Sequence, residues 1–251
     1  AAHKKAMQIA RVGLNERDIE ASLLHTFFSH GSRDTAYSSI VASGINACTL
    51  HYVDNNKPLL DGDLLLIDAG VEVEGYASDI TRTFPINGRF SKSQASLYQL
   101  VLDAQMAAIE TIRPGIGWNK PHDTAVRVLT EGLLRLGLLS GALEKLIQTG
   151  AYKRFYMHRT GHWLGMDVHD VGAYKQGNRW RSFKAGMVLT VEPGLYIPVD
   201  AHDIEARWRG IGIRIEDDVL VTHEGCEVLT EALPKSITDI ERLMAGHHHE
   251  S

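Results

Sequence analysis

Apolar positions along this chain switch between a helical and an alternating period, and the switches mark out its elements. The opening stretch AAHKKAMQIARVG already reads as helix, and Asn15 is placed to cap a second helix through ERDIEASLLHTFFSH that stops at Gly31. A strand-rich block follows in AYSSIVASG, CTLHYV, GDLLLIDAGVEVEGY and SDITRTFPI, with turn residues between them. Ser91 and Gln94 form a capping box for SQASLYQLVLDAQMAAIETI, which ends at Arg113-Pro114-Gly115, and further helices are expected near 120–136 and 141–148. A second strand block runs from about 160 to 230, and SITDIERLMAG closes the chain as a helix. The order helix, strands, helices, strands, helix predicts one α+β domain over residues 1–245, with no linker or low-complexity segment dividing it.

The two strand blocks echo each other. GDLLLIDAG (62–70) aligns without a gap on GMVLTVEPG (186–194), setting Asp68 against Glu192 and Gly70 against Gly194. Each then leads to a second strand with another carboxylate. This pattern predicts two related halves that contribute acids symmetrically to a shared centre.

Asp68 ends the apolar run Leu64-Leu65-Leu66-Ile67, where an acid is rarely found unless paired or bound to metal. A turn at Glu74-Gly75 would set Asp68 opposite Thr81 and put Asp79 on the same face. In GIGIRIEDDVLV, Ile211, Ile213 and Ile215 point one way and Arg214, Glu216 and Asp218 the other. Singly, each acid reads as a strand end or an ion pair; four at matched places in two echoing hairpins do not. Asp68, Asp79, Glu192 and Glu216 with one histidine are too anionic to stand unneutralised. They suit a pair of divalent cations with mostly oxygen ligands, Mn²⁺ best and Co²⁺ or Zn²⁺ also, holding a bridging hydroxide for metal-assisted hydrolysis.

His51, His162 and His169 each precede an acid hairpin by a short stretch, which marks them out among the histidines. Seven positions apart in an extended segment, His162 and His169 are expected on opposite faces, and spacing alone does not say which binds metal. His158, His122, His223, His202, His30, His25 and His3 lack this context and read as surface or supporting residues. Arg214 is placed to neutralise the acids or orient a carboxylate, whereas Arg82 alternates to the opposite face and reads as structural.

Composition narrows the class. A net charge of -5 with no basic block argues against a nucleic-acid partner. No apolar run is long enough to span a membrane, and two cysteines, Cys48 and Cys226, fit a reducing cytoplasm. The chain begins without methionine, which reads as a fragment or processed product; the tail 246–251, GHHHES, reads equally as a tag remnant or a natural end.

IDAGVEVEGYASDITRTFP, GHWLGMDVHDVG, GMVLTVEPGLYIP and RGIGIRIEDDVLVT closely resemble the catalytic domain of aminopeptidase P, of the pita-bread metallopeptidases, and the likeness runs through nearly the whole chain. The resemblance implies two pseudo-symmetric halves with a curved antiparallel sheet covered by helices. It implies a dinuclear centre, usually Mn²⁺, bound by Asp68, Asp79, His162, Glu192 and Glu216, with Glu192 doubling as general base. It gives His51 and His169 to the substrate side and Arg214 to the surroundings of the metals. The implied reaction removes the N-terminal residue from peptides with proline second; prolidase, which takes Xaa-Pro dipeptides, is the alternative. A catalytically dead pita-bread binding module and a metal-free creatinase-like hydrolase rank lower, because the ligand set is complete. The family's N-terminal domain, which helps shape the cleft and a homo-oligomer, is absent from this sequence.

Overall fold

The computed structural model describes residues 1–246, so the tail beyond Gly246 lies outside the described residues. Helices α1 (Ala2–Ile9) and α2 (Glu16–Ser29) open the chain. Asn15 caps α2 as expected: its side chain accepts from Arg17 N at 3.0 Å, and Asp18 returns a bond to Asn15 N at 2.8 Å. The buried residues Ile19, Leu23 and Phe27 form one stripe of α2 that faces the core.

The first half is built on β1 (Asp34–Thr35), β2 (Ile40–Ser43), β3 (Leu64–Asp68), β4 (Val71–Val73), β5 (Tyr76–Ala77) and β6 (Thr81–Pro85). One long hairpin carries β3 through β6, turning at Glu74 and Gly75, whose φ of 52° and 82° is the geometry of a two-residue hairpin turn. Asp68 pairs with Thr81 as the sequence predicts. β3 is central, between β2 and β6, with Leu64 to Ile67 all buried, which is why it reads as a continuous apolar run.

Three helices follow: α3 (Lys92–Glu110), α4 (Lys120–Arg135) and α5 (Leu143–Thr149), with the Ser91–Gln94 box capping α3. The second half contains β7 (Lys175–Gln176), β8 (Arg179–Trp180), β9 (Val188–Val191), β10 (Gly194–Tyr196), β11 (Gly212–Arg214), β12 (Asp217–Val221) and β13 (Cys226–Val228), and α6 (Ile237–Ala245) ends the described chain. β9 is flanked on one side by β12. On the other side, Thr190 N donates to His162 O at 3.0 Å and Glu192 N to Thr160 O at 2.8 Å. β9 with its two neighbours thus repeats β3 between β2 and β6. The aligned glycines have a shared reason: a Cβ on Gly70 would sit 1.7 Å from Ser78 O, and one on Gly194 would sit 2.8 Å from Ile213 O.

The halves join where β6 meets the β11–β12 strand: Glu216 N donates to Thr81 O at 3.0 Å, and Thr83 Oγ1 to Arg214 O at 2.9 Å. Behind this seam lies Arg82, fully buried and paired with Asp217 at 2.6 Å. Asp217 is also held by Lys235 at 2.6 Å, Thr230 at 2.6 Å and Gln105 at 2.9 Å. Arg82 is therefore structural, as its alternation implies. One apolar core runs through both halves, from Leu23 and Leu65 to Leu189 and Ile213.

Two expected strands are corrected. CTLHYV is not a strand: residues 44–48 form a 3-10 turn and His51 lies in a turn. The segment is tied to α2 through the Tyr52 hydroxyl, which donates to Glu16 at 2.7 Å, and Thr49 N donates to Asn46 O within the turn. The stretch 160–171 makes edge bonds to β9 and one to Ala77 of β5, and then turns back, Asp170 N donating to Trp163 O at 3.0 Å.

Arg82→Ala should lower the unfolding free energy by about 3–5 kcal/mol in urea titrations, since it strands a buried carboxylate. A loss below about 1 kcal/mol would mean Lys235 alone neutralises Asp217.

Candidate active site

All eight predicted site residues, Asp68, Asp79, Glu192, Glu216, His51, His162, His169 and Arg214, line one cavity of about 580 Å³ at the seam between the halves. Asp68 leaves the end of β3, Asp79 precedes β6, Glu192 follows β9, and Glu216 lies between β11 and β12. The echo in the sequence is thus a spatial one, with each hairpin carrying its acids to the same place.

Polar neighbours hold the acids apart. Arg214 Nη2 donates to Asp68 Oδ2 at 2.6 Å, while the Tyr37 hydroxyl lies 2.6 Å from Asp68 Oδ1 and 2.5 Å from Asp79 Oδ1. Thr81 Oγ1 donates to Glu216 Oε2 at 2.6 Å and accepts from Arg214 Nε at 3.2 Å. Opposite them, His162 Nε2 is 3.3 Å from Asp79 Oδ2 and 3.8 Å from Glu192 Oε1. His162 Nδ1 lies 3.0 Å from its neighbour's carbonyl, Trp163 O. A proton on Nδ1 then leaves the Nε2 lone pair facing the acids, the tautomer a metal ligand needs. Ligand atoms of Asp79, His162 and Glu216 all fall within 4.8 Å of one another.

The charges show why these side chains fit a cation. Burial, then the charge of Asp68, raises the Asp79 pKa. Burial pushes Glu192 up to about 8 and Glu216 well above the carboxylate range, with the neighbouring acids adding to both. Asp68 goes the other way: Arg214 and the Tyr37 hydrogen bond overcome its burial and lower its pKa. Against its own burial, His162 is raised to about 9 by the Asp79 hydrogen bond and Glu192. Acids this close cannot all ionise without positive charge between them. A set of oxygen donors with one imidazole matches hard or borderline divalent ions.

His162 and His169 do not lie on opposite faces. Their ring centroids are 4.3 Å apart, edge to face, because the chain reverses between Gly165 and Asp170. The expectation assumed an extended segment, and the turn cancels the odd spacing. Burial, then the charge of His162, lowers the His169 pKa.

Sequence reasoning missed two side chains here. His158 lines the cavity, its Nε2 2.9 Å from the Tyr196 hydroxyl and its Nδ1 3.7 Å from Glu192. Tyr196 in turn accepts from Arg214 Nη1 at 2.9 Å, and burial with the Arg214 charge lowers His158 to about 4. Its one signal was its place four residues before His162. Tyr37, bridging Asp68 and Asp79, sits in no motif that would have singled it out. Trp118, Tyr174 and Trp180 complete an aromatic wall.

Residues 1–223 match the model of metallopeptidase family M24. The Xaa-Pro aminopeptidase of Haemophilus influenzae is 53% identical over 242 residues, covering 96% of this chain and 56% of that protein. The structure of Pseudomonas aeruginosa aminopeptidase PepP superimposes with a TM-score of 0.98 at 57% identity, over 99% of this chain and 56% of that one. A zinc-substituted Escherichia coli aminopeptidase P in complex with product gives a TM-score of 0.95 at 47% identity, over 98% of this chain and 56% of that one. The chain thus spans little more than half the length of these relatives. Its two echoing halves have the pita-bread fold of these neighbours. The chain belongs to metallopeptidase family M24.

Proposed function

We propose that this chain is the catalytic part of a metal-dependent aminopeptidase that releases the N-terminal residue of peptides with proline second. The observation that carries the reading is the convergence of Asp68, Asp79, His162, Glu192 and Glu216 on one cavity, with Arg214 and three further histidines around them. The similarity to Xaa-Pro aminopeptidases supports the substrate class. These five side chains would hold two divalent ions, Mn²⁺ fitting the oxygen-rich set best and Co²⁺ or Zn²⁺ also fitting. Bound there, the ions would supply a water activated as nucleophile and polarise the scissile carbonyl.

The chain's own residues do the rest. Glu192 faces the cavity, placed to take a proton from water and pass it to the leaving nitrogen. The Xaa-Pro bond is a tertiary amide without an N–H, so the enzyme must grip its carbonyl and its flanks. His51 and His169 stand at the exposed side, placed to donate to the carbonyl oxygen as charge develops. His158, neutral, is held between the Tyr196 hydroxyl at Nε2 and the Arg159 carbonyl at Nδ1, which sets its ring beside Glu192. Arg214 anchors Asp68, which fixes that acid in its ionised form. The aromatic wall of Trp118, Tyr174 and Trp180 offers an apolar face to a pyrrolidine ring. Two unpaired cysteines agree with a cytoplasmic setting, and among the described residues no helix is long and apolar enough to cross a membrane.

The purified protein loaded with Mn²⁺ should release arginine from an Arg-Pro-Pro peptide faster than it cleaves an Xaa-Pro dipeptide. The reverse preference would make it a prolidase, and no release from either by the metal-loaded protein would refute the reading. Glu192→Gln should lower kcat by at least about 10²-fold, as loss of proton transfer requires. Because Glu192 titrates near 8 and His162 near 9 in the metal-free protein, metal must displace their protons. Calorimetry should show proton release on Mn²⁺ binding and an affinity that falls as the pH drops from 8 to 6. The folded Glu192 value exceeds the ordinary 4.5, so its carboxyl stabilises the metal-free fold fully only below that value. Without metal, the wild type should lose stability relative to Glu192→Gln as the pH rises from 4.5 through 8.

A further inference from the structure

His51 reaches the cavity from a loop, residues 44–58, that has no regular structure after the turn at 44–48. Something other than a sheet ladder must fix it. Glu16, the first residue of α2, is fully buried and lies outside the set of cavity-lining residues. Its Oε1 accepts from Ser43 N at 2.7 Å, Ser43 Oγ at 2.7 Å and Asn46 Nδ2 at 2.9 Å. Its Oε2 accepts from the Tyr52 hydroxyl at 2.7 Å and Lys57 N at 3.0 Å, and Glu16 N donates to Lys57 O at 2.9 Å. These partners bracket His51 on both sides, and Tyr52 is its next residue. Burial alone would raise the Glu16 pKa, but the bonds from Lys57, Ser43 and Asn46 outweigh it and lower the value.

The other face of the loop rests on the site. A Cβ on Gly212 would lie 2.3 Å from Ala47 O, so the turn sits flush against β11 two residues before Arg214. Asn55, at a φ of 45°, ties the far end of the loop to Val41 N at 2.9 Å and Ser39 O at 2.8 Å. The loop is therefore wedged between one buried carboxylate and the strand that carries Arg214.

We propose that Glu16 is a positioning residue: its buried carboxylate sets the place of His51 over the cavity without touching the cavity itself. This rests on the reading above insofar as His51 contacts the substrate. The chemistry is specific to a carboxylate. Five donors converge on two oxygens that offer only acceptor sites, and an amide in their place would turn one set of donors against its own N–H₂ group.

The test compares Glu16→Gln, His51→Ala and the double variant, all loaded with Mn²⁺. Glu16→Gln should lower kcat on an Arg-Pro-Pro peptide by up to about 10²-fold, the scale of a misplaced catalytic group, with bound metal per chain unchanged. The double variant should be no slower than His51→Ala alone. Two losses that multiply would show that Glu16 acts by some route other than His51 and would overturn the proposal. A second readout needs no activity. In the metal-free protein, the His51 ring signal, identified by its absence in His51→Ala, should shift or broaden in Glu16→Gln while those of His158 and His162 stay in place; an unmoved His51 signal overturns the proposal. Should Glu16→Gln not fold, Tyr52→Phe removes one of the five bonds and is expected to move the same signal. If the wild type cleaves no Xaa-Pro peptide yet the ring signal moves, the functional reading fails and the positioning role stands.

Discussion

Mutual repulsion among carboxylates in a half-closed cavity is the constraint to which the rest of this structure answers. Asp68, Asp79, Glu192 and Glu216 are brought together where burial already disfavours charge, and three of them are driven toward their protonated forms. Only Asp68 is held ionised, because Arg214 lies against it. Tyr37 and Thr81 donate into the cluster, and His162 closes it from the opposite side. An arrangement so unfavourable by itself persists because two hairpins from separate halves each deliver rigid strand ends to it, and the bound cations proposed above would resolve the repulsion.

Much of this was legible in the chain. The register of the first hairpin followed from Glu74-Gly75 and the ending of an apolar run on Asp68, since turn chemistry and side-chain alternation are local. The echo of GDLLLIDAG in GMVLTVEPG announced the two halves for the same reason. The Asn15 cap and the Ser91–Gln94 capping box formed where they were read. What the sequence concealed was held by long-range side-chain bonds. His158 and Tyr37 reach the site through Tyr196 and through Asp68 and Asp79, partners about thirty or forty positions away that no period encodes. The loop of His51 imitated a strand in composition, while the buried Glu16 that shapes it lies 35 residues upstream. The reversal between His162 and His169 was hidden because turn and strand both tolerate its residues, and its bond from Asp170 N to Trp163 O is invisible to alternation.

The site and the core are two sides of the same strands. His162 is oriented by the carbonyl of Trp163, whose ring packs 4.1 Å from Trp118 between core and cavity wall. Arg214 is steadied from below by Thr83, and Arg82 beside it belongs wholly to the interior. Changes in packing well away from the acids would therefore reach them through the backbone.

Glu216 and Asp217 are consecutive acids that face opposite ways, one into the cavity and one onto Arg82. The alternation of the strand is all that separates their duties. A single-residue insertion or deletion in RGIGIRIEDD would exchange them, aiming the cavity's acid at a core arginine and the core's own counter-ion at the cavity. The count of residues between Arg214 and Asp218 is thus a tighter constraint on this stretch than the identity of any one of them.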